Sequence, residues 1–110
     1  MKKIYLASPY SDPDESIREG RFDAVCKKAA ELMEQGHVVF SPIAHSHPIS
    51  KYLGNSNDAD FYLKQDIPLL DMFDEMWILA LPNWTDSKGI NIERDYAEEN
   101  GIRVRVILPN

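Results

Sequence analysis

Cysteine is nearly absent from the 110 residues: Cys26 stands alone, which excludes an intrachain disulfide and any cysteine-rich metal site. It falls on the apolar side of a predicted helix, where a small buried hydrophobe fits better than a reactive thiol. No run approaches the roughly 20 apolar residues that a membrane span requires. The chain enters a strand pattern at once, without a basic segment followed by an apolar signal core. A soluble, cytoplasmic protein without membrane contacts is the expectation. Positive charge is also scarce, with 12 Lys and Arg against 18 Asp and Glu and a formal charge of −6. A partner of nucleic-acid polymers normally carries the opposite sign, so that class drops out. A small anionic ligand stays open, because helix amides and a few serines can hold one without altering net charge.

Several catalytic signatures are missing too. The first strand runs into Ala7-Ser-Pro-Tyr10 rather than a glycine-rich turn, so no dinucleotide fingerprint is present. There is no Walker lysine motif, no Gly-x-Ser-x-Gly elbow and no His-Glu-x-x-His pair. His45-Ser46-His47 has no third ligand at a supporting spacing, which makes a metal site a weak reading. One of these histidines is expected to bond a ligand or a carboxylate while the other packs beside Pro48.

What is present is enough for one modest core. An apolar fraction of 44% marks a globular chain, and 110 residues suit a single domain spanning 1–110. Folding at this size buries roughly 60–70% of the unfolded surface. Lys2 to Ala7 reads as a first strand. Asp12, Pro13 and Glu15 then supply an N-cap, a first-turn proline and an Asp-x-x-Glu box for a helix. Phe22, Val25, Cys26, Ala29, Leu32 and Met33 form its apolar stripe, and Gly36 stops it. A short strand, His37 to Phe40, follows. Residues 41–58 read as a long irregular loop, a type more often functional than merely connective.

Asp60 to Phe73 has a helical pattern interrupted by Pro68, consistent with one bent helix or two short ones. Glu75 to Leu81 reads as a buried strand, Ile90 to Asn100 as the last helix and Arg103 to Leu108 as the last strand. The alternation predicts an α/β three-layer sandwich of flavodoxin- or Rossmann-like type, with a mainly parallel sheet of four or five strands. Ligands in such folds sit beyond the carboxyl ends of the strands. Those ends deliver Ser8 to Ser11, Ser41 to His47 and Pro82 to Glu93.

The segment Trp84-Thr-Asp-Ser-Lys-Gly-Ile-Asn-Ile-Glu-Arg-Asp-Tyr-Ala97 organises this end of the molecule. Ser87 or Asp86 can cap its helix, and Gly89 lets a ligand approach the backbone. Ile90, Glu93 and Ala97 share one side, so a carboxylate interrupts an apolar stripe. Asp66 does the same between Leu63 and Leu70. Two carboxylates at one cleft suit glycosyl-bond chemistry, one attacking the anomeric carbon and the other assisting. The alternative is that both are solvated or capping groups. Tyr5 is either an inward phenol reaching a carboxylate or plain core. Tyr10 and Trp84 either border a flat ring, cover exposed core or meet another subunit.

The stretches Ile4-Tyr-Leu-Ala-Ser-Pro-Tyr10 and Gly36-His-Val-Val-Phe-Ser-Pro-Ile-Ala-His-Ser-His47, with Ser87-Lys-Gly-Ile-Asn-Ile-Glu93, resemble the nucleoside 2-deoxyribosyltransferase-like superfamily. Its short uncharacterised members are most similar, and 2′-deoxynucleoside 5′-phosphate N-hydrolases belong to it as well. The resemblance spans the whole chain. It implies cleavage of an N-glycosidic bond, or deoxyribosyl transfer, through a covalent intermediate on a glutamate. Carried over, the nucleophile falls on Glu93, the tyrosine that orients it on Tyr5, and an aspartate that contacts the sugar or assists proton transfer on Asp66. The phosphate-binding serine falls on Ser87, and Ser8, Tyr10, Pro42, His45, Trp84 and Gly89 are expected to border the substrate.

No cofactor and no metal is implied. The partners implied are a small nucleoside or nucleotide and further copies of the chain, in a homodimer or larger homo-oligomer. Two departures are visible. The first loop lacks the glycine and arginine with which the phosphate hydrolases hold their anion. The C-terminal segment with which transferases grip a neighbour's substrate is expected to be shortened or missing after Asn110.

Overall fold

A computed structural model describes residues 1–54 and 58–109. The elements run β1 (Lys3–Ala7), α1 (Glu15–Glu34), β2 (Val38–Phe40), α2 (Pro42–Ser50), α3 (Ala59–Leu70), β3 (Glu75–Leu79), a 3-10 turn (Trp84–Asp86), α4 (Lys88–Glu99) and β4 (Arg103–Ile107). The four strands form one sheet in the order β2-β1-β3-β4. Every pairing is parallel: Tyr5 lies opposite Phe40 and Met76, and Trp77 lies opposite Leu6 and Arg105. The expected α/β sandwich with a four-stranded parallel sheet is thus what forms.

Strand parity decides what each layer contains. Ile4 and Leu6 point to one side and pack with Val25, Leu32, Trp77 and Leu79 beneath α1. Tyr5 and Ala7 point to the other and pack with Leu70, Met76, Ile78, Ile90 and Ala97 beneath α3 and α4. All five residues of β3 are buried, the continuous pattern of a central parallel strand covered on both faces. Each fully buried aliphatic side chain here contributes about 1.5–3 kcal/mol. No helix among the described residues is long and apolar enough to cross a membrane.

Several boundaries differ from the sequence expectation, and local capping accounts for the largest differences. Helix α1 begins after Asp14, not Asp12, because the Asp14 carboxylate accepts from the Ser16 amide and hydroxyl, both at 2.8 Å. Asp12 instead accepts from the Asp14 amide at 2.9 Å. The irregular loop expected after Ser41 contains the nine-residue helix α2: Ser41 caps it by accepting from the Ala44 amide at 3.0 Å, and Pro42 occupies its first position. The part of that predicted loop at residues 55–57 lies outside the described residues, as does position 110. Pro68 is accommodated inside α3 as one continuous helix. It sits in the last turn, where little ladder remains to disrupt. Asp58 caps α3 through the Phe61 amide at 2.9 Å.

Along α1 the stripe is shallower than its pattern implies. Val25 and Leu32 are buried, Phe22, Cys26 and Ala29 are half-buried, and Met33 is exposed. The Cys26 thiol is pushed up by partial burial and by Asp23. That shift disfavours the thiolate, in line with a packing role. Gly36 ends this part of the chain at φ 96°, where a side chain would be strained.

Candidate active site

The carboxyl ends of β1 and β3, together with α2, α3 and α4, enclose a cleft of about 530 Å³. Its buried polar corner follows from the parity described above. Because Tyr5 faces the α3–α4 layer, its phenol meets the side chain that interrupts the inward stripe of α4, and Tyr5 Oη donates a hydrogen bond to Glu93 Oε2. Glu93 is only 7% exposed, and Tyr5 is fully buried. Asp66 enters from α3, itself 6% exposed, and lines the same cleft. The inward stripes of two helices therefore deliver two carboxylates to one cavity.

Burial raises the proton affinity of both. Glu93 is pushed up to about 8, first by desolvation and further by the nearby Asp66 charge, against the opposing hydrogen bond from Tyr5. Asp66 is pushed up to about 6 by desolvation. The Tyr5 phenol is driven far upward by burial and by the Glu93 and Asp66 charges, so it serves as a permanent donor. A donor fixed on one carboxylate oxygen leaves the other free to meet a ligand.

The walls come from the loops. Ser8 and Tyr10 from the first loop, Pro42 from the start of α2, and Ser87 and Gly89 from the start of α4 all line the cleft. Ser87 caps α4 by accepting from the Ile90 amide at 3.2 Å. A Cβ added to Gly89 would meet only Ser87 Oγ, at 3.9 Å, so the missing side chain leaves open space beside the helix start. Ser8 is 6% exposed, and its hydroxyl has no hydrogen-bond partner among the described residues.

Two expected wall residues are elsewhere. His45 is exposed and lies against Phe40, 5.8 Å between ring centroids, because the α2 helix turns it outward. Trp84 packs onto the α3–α4 core under Arg94, whose guanidinium is 5.5 Å from the ring centroid. The cause is the preceding turn. Asn83 adopts a left-handed conformation at φ 67°, which folds the tryptophan back while Asn83 itself lines the cleft. His47 is held by Tyr10 and Glu19, at 2.5 and 2.8 Å, whereas His45 Nδ1 meets Ser46 Oγ at 3.5 Å.

One functional candidate was missed in the sequence. Arg21 reaches the cleft from α1, and its guanidinium donates to the carbonyls of Tyr10, at 3.3 Å, and Ser11, at 3.1 Å. A signal was available: Arg21, Val25, Lys28 and Leu32 follow helical spacing, and the last three are buried. Arg21 is thus a charge on an inward stripe, the feature that singled out Glu93 and Asp66. It supplies from a helix the cation that the first loop lacks.

The chain belongs to the DUF1937 family. The match covers residues 2–108, and the family is described as a domain of unknown function. No curated protein matches the chain. The fold of this DUF1937 member is of a kind that can bind a small nucleotide-like ligand at the carboxyl ends of its strands.

Proposed function

We propose that this protein cleaves the N-glycosidic bond of a 2′-deoxynucleoside or its 5′-monophosphate, releasing the base to water or passing the deoxyribosyl group to a second base. The observation that carries the reading is the buried Tyr5–Glu93 hydrogen bond beside Asp66 at the wall of a cleft. The likeness of the three sequence segments to the nucleoside 2-deoxyribosyltransferase-like superfamily supports it independently.

In the first step an ionised Glu93 oxygen attacks C1′. The C1′–N bond breaks, its electron pair leaves with the base, and a glycosyl ester remains on Glu93. Tyr5 holds the carboxylate in line, and Asp66 orients the sugar. In the second step water, or an acceptor base, attacks C1′, the C1′–O bond to Glu93 breaks, and the attacking group gives up its proton to solvent. Arg21, Ser87 and the first amides of α4 are the groups suited to a 5′-phosphate.

The direct test measures free base released from deoxynucleosides and their 5′-monophosphates, with and without an acceptor base, beside the matched ribo-substrates. Hydrolysis of a deoxynucleotide is the expected result. Saturable binding with no base released from any of them would replace the enzyme by a nucleotide-binding or sensing module. Preference for the ribo-substrates would make it a ribosyl N-glycosidase.

The Ser8 hydroxyl gives a second check. Burying a hydroxyl without a partner costs about 1–3 kcal/mol, so a ligand hydroxyl or ring nitrogen that meets it recovers that cost on binding. Ser8→Ala is therefore expected to leave the free protein as stable or more stable, while ligand affinity falls by roughly 3- to 10-fold. Thermal unfolding with and without ligand reads both signs. Destabilisation of the free protein, with ligand affinity retained, would assign Ser8 to the scaffold.

A further inference from the structure

A second polar cluster adjoins the cleft and is not used by the glutamate chemistry. His47, at the end of α2, is held from three sides. Its Nε2 lies 2.8 Å from Glu19 Oε1 on α1, and its Nδ1 lies 2.5 Å from the Tyr10 hydroxyl. Its ring stacks on Phe22, 4.2 Å between centroids at 28°. The imidazole side chain is 14% exposed. Carboxylate, imidazole and hydroxyl thus stand in series, the arrangement in which a fixed imidazole passes protons to or from a reacting hydroxyl.

Tyr10 also stands at a boundary. It lines the main cleft on one side and, on the other, an outer groove of about 740 Å³ that contains His47 and Glu19. Tyr62 shares both linings. Its phenol is pushed up, chiefly by burial. Asp12, Glu15, Arg18 and Lys51 complete the charged rim of the outer groove. Asp66 lines the cleft beside Glu93, the carboxylate hydrogen-bonded to Tyr5, whereas Tyr10 lines the same cleft from the first loop.

We propose that Tyr10 is the acid that protonates the leaving base, recharged by His47, with Glu19 fixing the imidazole. This rests on the N-glycosidase reading and adds to it the group that takes the base away. The proton balance is explicit. With His47 in its acid form, Nδ1–H donates to Tyr10 Oη and Nε2–H to Glu19, leaving the phenolic hydrogen free for the ligand. As C1′–N breaks and C1′–O to Glu93 forms, the base nitrogen takes the Tyr10 proton and Tyr10 takes the Nδ1 proton. Neutral His47 and the protonated base remain, and solvent in the outer groove restores His47. The positive charge on the imidazole faces the Glu19 carboxylate until the Nδ1 proton has moved to Tyr10. Tyr10 touches the leaving group; His47 and Glu19 are positioning residues that act through it.

The test varies how much the leaving base needs a proton. Base release is followed for Tyr10→Phe, His47→Gln and Glu19→Gln on a neutral 2′-deoxypurine substrate and on the same substrate methylated at the purine N7. The methylated ring is already cationic and departs without an acid. If only pyrimidines react, a series halogenated at C5 with increasingly acidic bases replaces the pair. The Glu93→Ala rate is subtracted for spontaneous loss.

Tyr10→Phe and His47→Gln are expected to slow the neutral substrate by roughly 10²- to 10³-fold and the methylated one by less than about 3-fold. Glu19→Gln, at an exposed carboxylate, is expected to show the same selectivity at about a tenth of the size. Unchanged turnover of the methylated substrate also reports an intact fold. Equal slowing of both substrates, or no slowing of either, overturns the assignment and leaves Tyr10 as a wall residue. Failure of the unaltered protein to release base from any substrate is a separate result, and it removes the N-glycosidase reading itself.

Discussion

Glu93→Ala is expected to lower base release by on the order of 10³-fold or more, because no other group at the bond-forming corner can take over covalent attack. Asp66 is the nearest substitute, yet it enters from a different helix, and the Tyr5 phenol donates to Glu93. Glu93→Gln should be as inactive while keeping the pocket closer to its native form. Its amide oxygen still accepts from Tyr5, so ligand affinity should change by only a few fold. The paired readouts are single-turnover base release and ligand-dependent thermal stabilisation. Turnover within about 10-fold of the unaltered protein in either variant would remove Glu93 as the nucleophile.

Between about pH 5 and 9, the stability of the protein should fall relative to that of Glu93→Gln. The sign follows from which state holds the proton more tightly. Glu93 titrates near 4.5 when unfolded and is pushed up to about 8 by burial when folded. Across that interval the native state binds more protons than the unfolded state, so stability declines as pH rises. The contribution is complete below the unfolded value and is lost as pH passes through the folded one. Asp66 adds a smaller loss of the same sign between 3.8 and about 6. For Glu93 the change amounts to about 3–5 kcal/mol at 1.36 kcal/mol per pKa unit, an order-of-magnitude figure.

Glutamine has no charge to bury, so the variant curve should stay flat where the native one drops, and the two should diverge by on the order of 10 °C in Tm. Glu75 acts in the opposite direction at lower pH. Its carboxyl is held below the usual range by hydrogen bonds from Lys2 and Trp77, and both proteins share that effect. Parallel curves for the two proteins would mean that Glu93 is not desolvated. Covalent attack requires the ionised form, so turnover of the N7-methylated substrate, which needs no acid, is expected to rise with pH over the interval in which stability is lost. Such opposition is usual where a site keeps a charge in an unfavourable place for its chemistry.

The residues that proved easiest to read were those that broke a pattern. Glu93 and Asp66 sit on apolar helical stripes, and both prove to be buried beside one cleft. Arg21 breaks the stripe of α1 in the same way, but its neighbours on that stripe include the charged Lys28, which blurs the apolar pattern that makes an interruption visible. Trp84 and His45 were misplaced for a different reason. Which way an aromatic residue points out of a loop depends on one or two backbone dihedrals, such as the left-handed Asn83, and on the unexpected helix α2. Ser41-Pro42 carried the start signal for that helix, but its histidines and Pro48 hid the periodicity.

The strands, the helices other than α2, their parallel connection and the interruption of two helical stripes by carboxylates were legible in the sequence alone, since they follow from local periodicity and from the chirality of short crossovers. Tertiary structure alone decided which side chains share a cavity. The Tyr5–Glu93 bond spans 88 residues of sequence, and the Tyr10–His47–Glu19 series joins a loop to two helices. Contacts between distant segments depend on sheet order, helix rotation and loop dihedrals acting together, and no local pattern encodes that combination.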